Sequence, residues 1–327
     1  MYYGFNMLYM FSNYGEPPAR ADEKELEFIA KHGFNFIRIP TDYRFWTEGF
    51  DYLHPNERIF EMIDEYYETC EKYGLHFSLN LHRAPGYCIN NNDLEKHNLW
   101  KDEEAFEAFV FLWEGFAKRY KGVSAEKMSF DLLNEPPSEG EYGFTRGIHE
   151  KIMRAVIKAI KDVDPERPVV LDGIAGGHLA MPELADAGAI HSGRGYTPFH
   201  VSHNQAGWCG IRDWAEPVYP GVLNGEYWDR AALKEFYSPW LEVEKKGVRI
   251  HIGEFGCYNK TPNDVALRWL SDLMSVYKEF GWGYALWNFQ GAFGIVEHGR
   301  PGAEYTEMDG FKVDKALLDI LKENMLS

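Results

Sequence analysis

The stretch FEAFVFLWEGFAKRYKGVSAEKMSFDLLN, residues 106–134, decides the fold. Its first half carries Phe106, Phe109, Val110, Trp113, Phe116 and Tyr120 on one stripe of a helix, at the spacing of a 3.6-residue turn. From Lys127 the pattern becomes a short β-rich run, KMSFDLLN (127–134). A helix with a single apolar face, tied to a strand on either side, packs outside a sheet.

Working outward, the same alternation runs from end to end. Strand candidates are residues 2–8, 34–40, 76–82, 127–134, 169–174, 190–196, 249–255 and 283–289, and a helix is expected after each. Ala266, Trp269, Leu270, Leu273, Tyr277 and Phe280 repeat the helical stripe near the end. Several strands read as nearly continuous apolar runs, as expected of a parallel sheet covered on both faces. Eight βα pairs close into a barrel, so residues 1–327 are expected to form one α/β domain, a (β/α)8 TIM barrel. At about 41 residues per unit the chain exceeds the ~250 residues of a typical barrel, and the excess must lie in loops. Those loops follow strands, at 83–99, 197–231 and 290–312, whereas the segments before strands are terse: KHG (31–33), KYG (72–74), KKG (245–247). Barrels carry their chemistry at the C-terminal ends of the strands, which identifies the working face.

Composition narrows the partners. With 34 Lys and Arg against 51 Asp and Glu, the formal charge is −17. Such a surface repels phosphate backbones and anionic headgroups, so neither nucleic acid nor a membrane is expected as partner. Aromatic residues make up 16% of the chain. Most fill the core, but rings of this kind also stack on the flat apolar faces of sugars. The cysteines, Cys70, Cys88, Cys209 and Cys257, have no C-x-x-C spacing and read as free thiols. The N-terminus lacks the basic region of a secretory signal, so the chain as it stands reads as cytoplasmic; a secreted protein stripped of its leader would read the same. A monomer is expected.

Arg38, His82, Asn134, Glu135, Glu254 and Trp287 stand at predicted strand ends in otherwise apolar context. A carboxylate does not leave water without a reason. A lone Glu there would suit a structural ion pair, but two beside an Arg, a His and an Asn suit bond cleavage. Glycosidic bonds need such a pair, because the leaving oxygen must be protonated while an anion meets the developing oxocarbenium.

FNFIRIP (34–40), NLHRAPG (80–86), LLNEP (132–136), IGEFG (252–256) and ALWNF (285–289), in this order, resemble glycoside hydrolase family 5, the cellulase family. The resemblance covers essentially the whole chain and joins five strands. It implies a retaining β-glycosidase with a covalent glycosyl intermediate, acting on a β-linked oligo- or polysaccharide, most simply as an endo-β-1,4-glucanase, with no cofactor. It implies Glu135 as general acid/base and Glu254 as nucleophile. Arg38 resembles the arginine that holds the nucleophile ionised, and His82 the histidine of the first donor-side subsite. Asn134 is similar to the asparagine bonded to the sugar 2-hydroxyl, Tyr196 to the tyrosine bonded to the nucleophile, and Trp287 to the platform beneath the ring.

One departure stands out. The sixth strand of the family usually ends His-x-Tyr, and here it reads Arg194-Gly195-Tyr196. A permanent cation beside Glu135 would lower its pKa and shift the activity optimum toward acid relative to relatives with histidine there. His200 and His203 are candidates for a displaced imidazole or for contacts to sugar hydroxyls. Trp208 is the favoured sugar platform among Trp208, Trp214, Tyr219, Tyr227 and Trp228, while Trp46, Tyr87 and Trp100 suit packing better.

The alternatives keep the barrel. A β-1,3-glucanase or β-mannanase would need the same motifs, because they govern the reaction and leave linkage to the loops. A noncatalytic sugar-binding barrel would lack one of the carboxylates. A metal-dependent hydrolase would want His-x-His on an early strand, and YYGFNML offers no ligand. The glycines of GIAGG (173–177) lack the G-x-G-x-x-G spacing of a dinucleotide loop.

Overall fold

The computed structural model describes residues 1–326. Its eight parallel barrel strands are β1 (Tyr3–Asn6), β2 (Phe36–Asp42), β3 (His76–Arg83), β4 (Met128–Asp131), β5 (Val169–Asp172), β6 (Ile190–Gly195), β7 (Ile250–Phe255) and β8 (Gly283–Leu286). Each pairs with its neighbours in sequence, and β1 pairs with β8 to close the ring. The eight strands coincide with the eight read from the sequence, although β4 stops at Asp131 and β8 at Leu286. Asn134, Glu135 and Trp287 therefore sit just beyond their strands, in the loops at the barrel mouth.

Both faces of the sheet are buried, as expected, but the face turned to the barrel axis is largely polar, which the apolar reading of the strands does not anticipate. Outward positions such as Ile37, Ile39, Phe77, Leu79, Leu81, Phe130, Leu171 and Ile252 join the apolar core beneath the helices. Inward positions of the same strands are polar: Arg38 is in register with Ser78 and Ser78 with Ser129, while Asn80 is in register with Asp131. Asp172 is in register with Ser192, and Arg194 with Glu254. Phe36, Arg38, Ser129, Asp131, Ser192 and His251 surround an internal cavity of only about 20 Å³. Side chains alternate with a period of two, so a strand can be apolar toward helices and polar toward the axis.

Helices follow seven of the eight strands. The helix Glu103–Arg119 buries Phe109, Trp113 and Phe116 as expected, and Asn263–Phe280 buries Ala266, Trp269, Leu270, Leu273 and Tyr277. The fifth unit is the exception, since only a four-residue turn (Ile174–Gly177) and a short 3₁₀ turn (Pro182–Leu184) connect β5 to β6. Ala175 and Gly176 there have φ of 55° and 67°, which no right-handed helix accommodates. The long loops carry structure of their own: a hairpin pairs Gly221–Leu223 with Glu226–Trp228 after β6, and another pairs Tyr305–Met308 with Phe311–Asp314 after β8. Among the described residues no helix is long and apolar enough to cross a membrane.

Candidate active site

Two buried guanidinium groups organise the barrel mouth. Arg38 rises from β2 and donates from Nε to Asp131 at 2.5 Å, from Nη1 to Asn6 at 3.0 Å and to Glu254 at 2.6 Å, and from Nη2 to Asn134 at 2.9 Å. Arg194 rises from β6 and donates from Nε to Glu135 at 2.8 Å. Its Nη1 donates to Asp172 Oδ1 at 3.0 Å, and its Nη2 to Asn134 at 2.9 Å, to Glu254 at 3.3 Å and to Asp172 Oδ2. A planar five-donor group suits this work, because it meets several acceptors without moving.

Glu254 is therefore held from three directions. Oε1 accepts from both arginines, and Oε2 accepts from the Tyr196 hydroxyl at 3.2 Å. Burial, then the charges of Glu254 and Glu135, push the Tyr196 hydroxyl well above its ordinary value, so it remains a donor. The Glu254 side chain keeps only 5% of its surface exposed.

Glu135 is placed differently. Its backbone has φ 47°, in the left-handed region that non-glycine residues rarely adopt. The conformation is pinned at both ends: its N–H donates to Asp172 at 3.0 Å, and its carbonyl accepts from the Tyr87 hydroxyl at 2.7 Å. Its side chain is 14% exposed and opens into a cleft of about 460 Å³. Burial and the charge of Glu254 push its carboxyl up to about 8, while Arg194 pulls the other way. Arg194 thus acts in the expected direction, while burial and the charge of Glu254 set the net shift upward.

Asn134 joins the two halves. Its amide oxygen accepts from Arg38 and Arg194 at 2.9 Å each, which turns its NH₂ toward His82 Nε2 at 3.4 Å. Burial, reinforced by Arg38, Arg194 and Arg83, holds His82 well below the ordinary histidine range, so the ring is neutral. It stacks against Trp287 at 5.5 Å, and Phe11 meets both rings edge-on. This is an aromatic floor beside the carboxylates.

The other predicted residues divide. His203 lines the cleft, stacks on Phe199 at 4.3 Å and meets Tyr196 edge-on at 4.8 Å. Trp208 also lines it, 60% exposed, as does Tyr142 at 43%. His200 is not brought there: its Nδ1 accepts from the Ala215 N–H at 3.2 Å, and it faces a separate recess with Leu223 and Trp228. The place of the family's sixth-strand histidine is filled by Arg194 itself, not by a displaced imidazole. Trp46, Tyr87 and Trp100 are buried.

Three residues of this network escaped sequence reading. Asn6 ties Arg38 to the backbones of β7 and β8, through Gly253 O at 3.0 Å and Leu286 O at 3.3 Å. Asp131 and Asp172 are the buried carboxylates on β4 and β5. Burial pushes Asp131 up to about 6 against the pull of Arg38, whereas Asp172 lies below its ordinary value because Arg194 and Arg38 outweigh its burial. A single acidic residue inside an otherwise apolar strand was the available signal. Among the described residues no cluster of three or more His, Cys, Asp or Glu is arranged to hold a metal ion.

Comparison with known proteins agrees with the fold and shows the family. The family described as cellulase, glycosyl hydrolase family 5, matches residues 3–292. Endoglucanase C of Acetivibrio thermocellus is 29% identical over 297 residues, covering 82% of this chain and 83% of that protein. Cellodextrinase A of Ruminococcus flavefaciens is 25% identical, covering 79% and 75%. A solved structure described as a glycoside hydrolase is 55% identical, with a TM-score of 0.98 and 99% of each chain covered. Endoglucanase Cel5A of Thermotoga maritima shares the fold at 24% identity, with a TM-score of 0.77 over 98% and 96%.

Proposed function

Because the chain belongs to glycosyl hydrolase family 5, the cellulase family, it is a glycosidase, and we propose that it is a retaining endo-β-1,4-glucanase served by Glu135 and Glu254. In this reading Glu135 protonates the leaving oxygen while Glu254 attacks the anomeric carbon, forming a glycosyl ester. Esterification removes the charge of Glu254. The pKa of Glu135 then falls, and the same carboxylate draws a proton from the water that releases the sugar.

One observation carries the proposal: a single guanidinium, that of Arg194, bonds both carboxyl groups, from Nε to Glu135 at 2.8 Å and from Nη2 to Glu254 at 3.3 Å. Groups held by one side chain suit direct attack, for which carboxyls on the order of 5 Å apart are needed, better than attack by an interposed water. Their environments also divide the labour, since Glu254 faces two cations and Glu135 one, and Glu135 is the more exposed of the two, at the wall of the cleft.

The aromatic floor of His82 and Trp287 suits the sugar that is attacked, with the Asn134 amide available to its 2-hydroxyl. Trp208 and Tyr142, exposed in the cleft on the Glu135 side, suit sugars beyond the scissile bond. The names of the endoglucanase relatives favour internal cleavage of a β-1,4-glucan.

The test is hydrolysis of soluble β-1,4-glucan, β-1,3-glucan and β-mannan, with and without chelator, followed by NMR of the first anomer released and by viscosity. The expected result is β-anomer from β-1,4-glucan, with viscosity falling ahead of reducing ends. Release of the α-anomer would overturn the retaining mechanism; a preference for mannan or β-1,3-glucan would overturn the linkage; slow viscosity loss would overturn endo action.

A further inference from the structure

The geometry points to Asp172 as a positioning residue that makes an arginine at position 194 compatible with acid catalysis, by binding the guanidinium with both oxygens and holding the Glu135 backbone. This rests on the reading of Glu135 as acid/base.

The contacts are reciprocal. Asp172 ends β5, fully buried, with Oδ1 accepting from Arg194 Nη1 at 3.0 Å and Oδ2 from Nη2. Oδ2 also accepts the Glu135 N–H at 3.0 Å. One carboxylate thus secures the residue that bears the acid and the cation that contacts it. With Nη1 and Nη2 turned to Asp172, Arg194 reaches Glu135 through Nε.

The fold makes room for this arrangement. A Cβ at Gly177 would collide with Arg194 Cγ, and one at Gly253 would collide with Ser192 Oγ and stand 3.0 Å from Arg194 Nη1. Gly177 also has φ +82°. Gly177, the last glycine of GIAGG, thereby leaves room for the guanidinium stem.

The charges around Glu135 and Asp172 are few. Two cations, Arg38 and Arg194, face four carboxyls: Asp131, Asp172, Glu135 and Glu254. Arg38 approaches Asp172 at 3.6 Å. Glu141 adds a carboxylate farther along the cleft; the remaining groups are the uncharged Tyr87 and Tyr196 hydroxyls, and His82, His178 and His203, whose rings are held below the ordinary histidine range first by burial. If Asp172 lost its charge, the positive charge of Arg194 would bear on Glu135 with less to offset it, favouring the carboxylate over the acid that the first step requires.

The experiment compares Asp172→Asn and Arg194→Gln with the parent enzyme by the pH dependence of kcat/KM, on substrates with poor and good leaving groups. Asp172→Asn should move the alkaline limb down by about one pH unit and slow poor leaving groups more than good ones at neutral pH. Arg194→Gln, which leaves Asp172 uncompensated, should move the limb upward. An unshifted limb in Asp172→Asn overturns the inference. Should that variant fail to fold, an unmoved or lowered limb in Arg194→Gln overturns it instead. Glu135→Ala, run in parallel, separates the two readings: equal loss on poor and good leaving groups would strike at the acid/base role, whatever Asp172 does.

Discussion

Glu135 and Arg194 are hydrogen-bonded at 2.8 Å, yet the carboxyl beside this permanent cation is pushed up to about 8. Burial and the nearby charge of Glu254 outweigh the guanidinium, whose own charge is shared with Asp172 and Glu254. An ion pair therefore does not by itself make its carboxyl a strong acid; the whole set of neighbours does.

The alkaline limb of kcat/KM is accordingly expected near pH 8, because Glu135 must carry its proton in the free enzyme. A rate profile on soluble glucan checks this. A limb below pH 6 would mean that Arg194 dominates after all.

Replacing the two carboxylates should separate their roles. Glu254→Gln is expected to cost about 10³-fold or more on every substrate, since no nucleophile remains. Glu135→Ala should cost roughly 10²- to 10⁴-fold on glucans but spare aryl glycosides whose leaving groups need no proton. Parallel collapse on both substrate types would contradict the assignment of Glu135.

Stability should respond to the same carboxyl, with a sign that can be worked out. Its folded pKa lies above its unfolded value, so its favourable contribution is complete below the unfolded carboxylate pKa and declines as pH rises toward 8. Glu135→Gln, which cannot ionise, should therefore gain Tm relative to the parent between pH 5 and pH 8. Thermal melts at the two values would check it, and an equal difference at both would refute the shift.

Arg38→Met should be far more disruptive than its single charge suggests. It would leave Asp131 and Glu254 buried without their shared cation, a change that costs about 3–5 kcal/mol. Denaturant titration reads this directly, and a loss below about 1 kcal/mol would show that the remaining arginine compensates.

Trp208→Ala should leave folding untouched, because the side chain is 60% exposed, but weaken use of long glucans. Loss of one aromatic platform predicts roughly a tenfold fall in kcat/KM on polymer, by analogy with aromatic contacts worth about 0.5–1.5 kcal/mol beyond their area. Short aryl glycosides should be less affected; an equal fall on both would place Trp208 outside the sugar path.

The barrel and the core of the site were readable in the chain for a common reason. Strand and helix periodicities are local, so eight βα units could be counted, and polar residues such as Arg38, Asn134, Glu135 and Glu254 stood out at the ends of apolar runs. The helix after β5 was overcalled because positive φ at Ala175 and Gly176 breaks a segment whose composition does not forbid one. His200 was overcalled because proximity in sequence to Tyr196 says nothing about which side of a turn it faces.

The amino-acid order alone determined the number of strands and marked one barrel edge and two acidic residues as candidates for the chemistry, since each depends on spacing along the chain. Only the closed barrel decided that Asn6, Asp131 and Asp172 point at the axis, and that Arg194 spans both carboxyls. Those outcomes depend on register between strands far apart in sequence and on the low polarity of the shared interior, where each charge is tuned by every other.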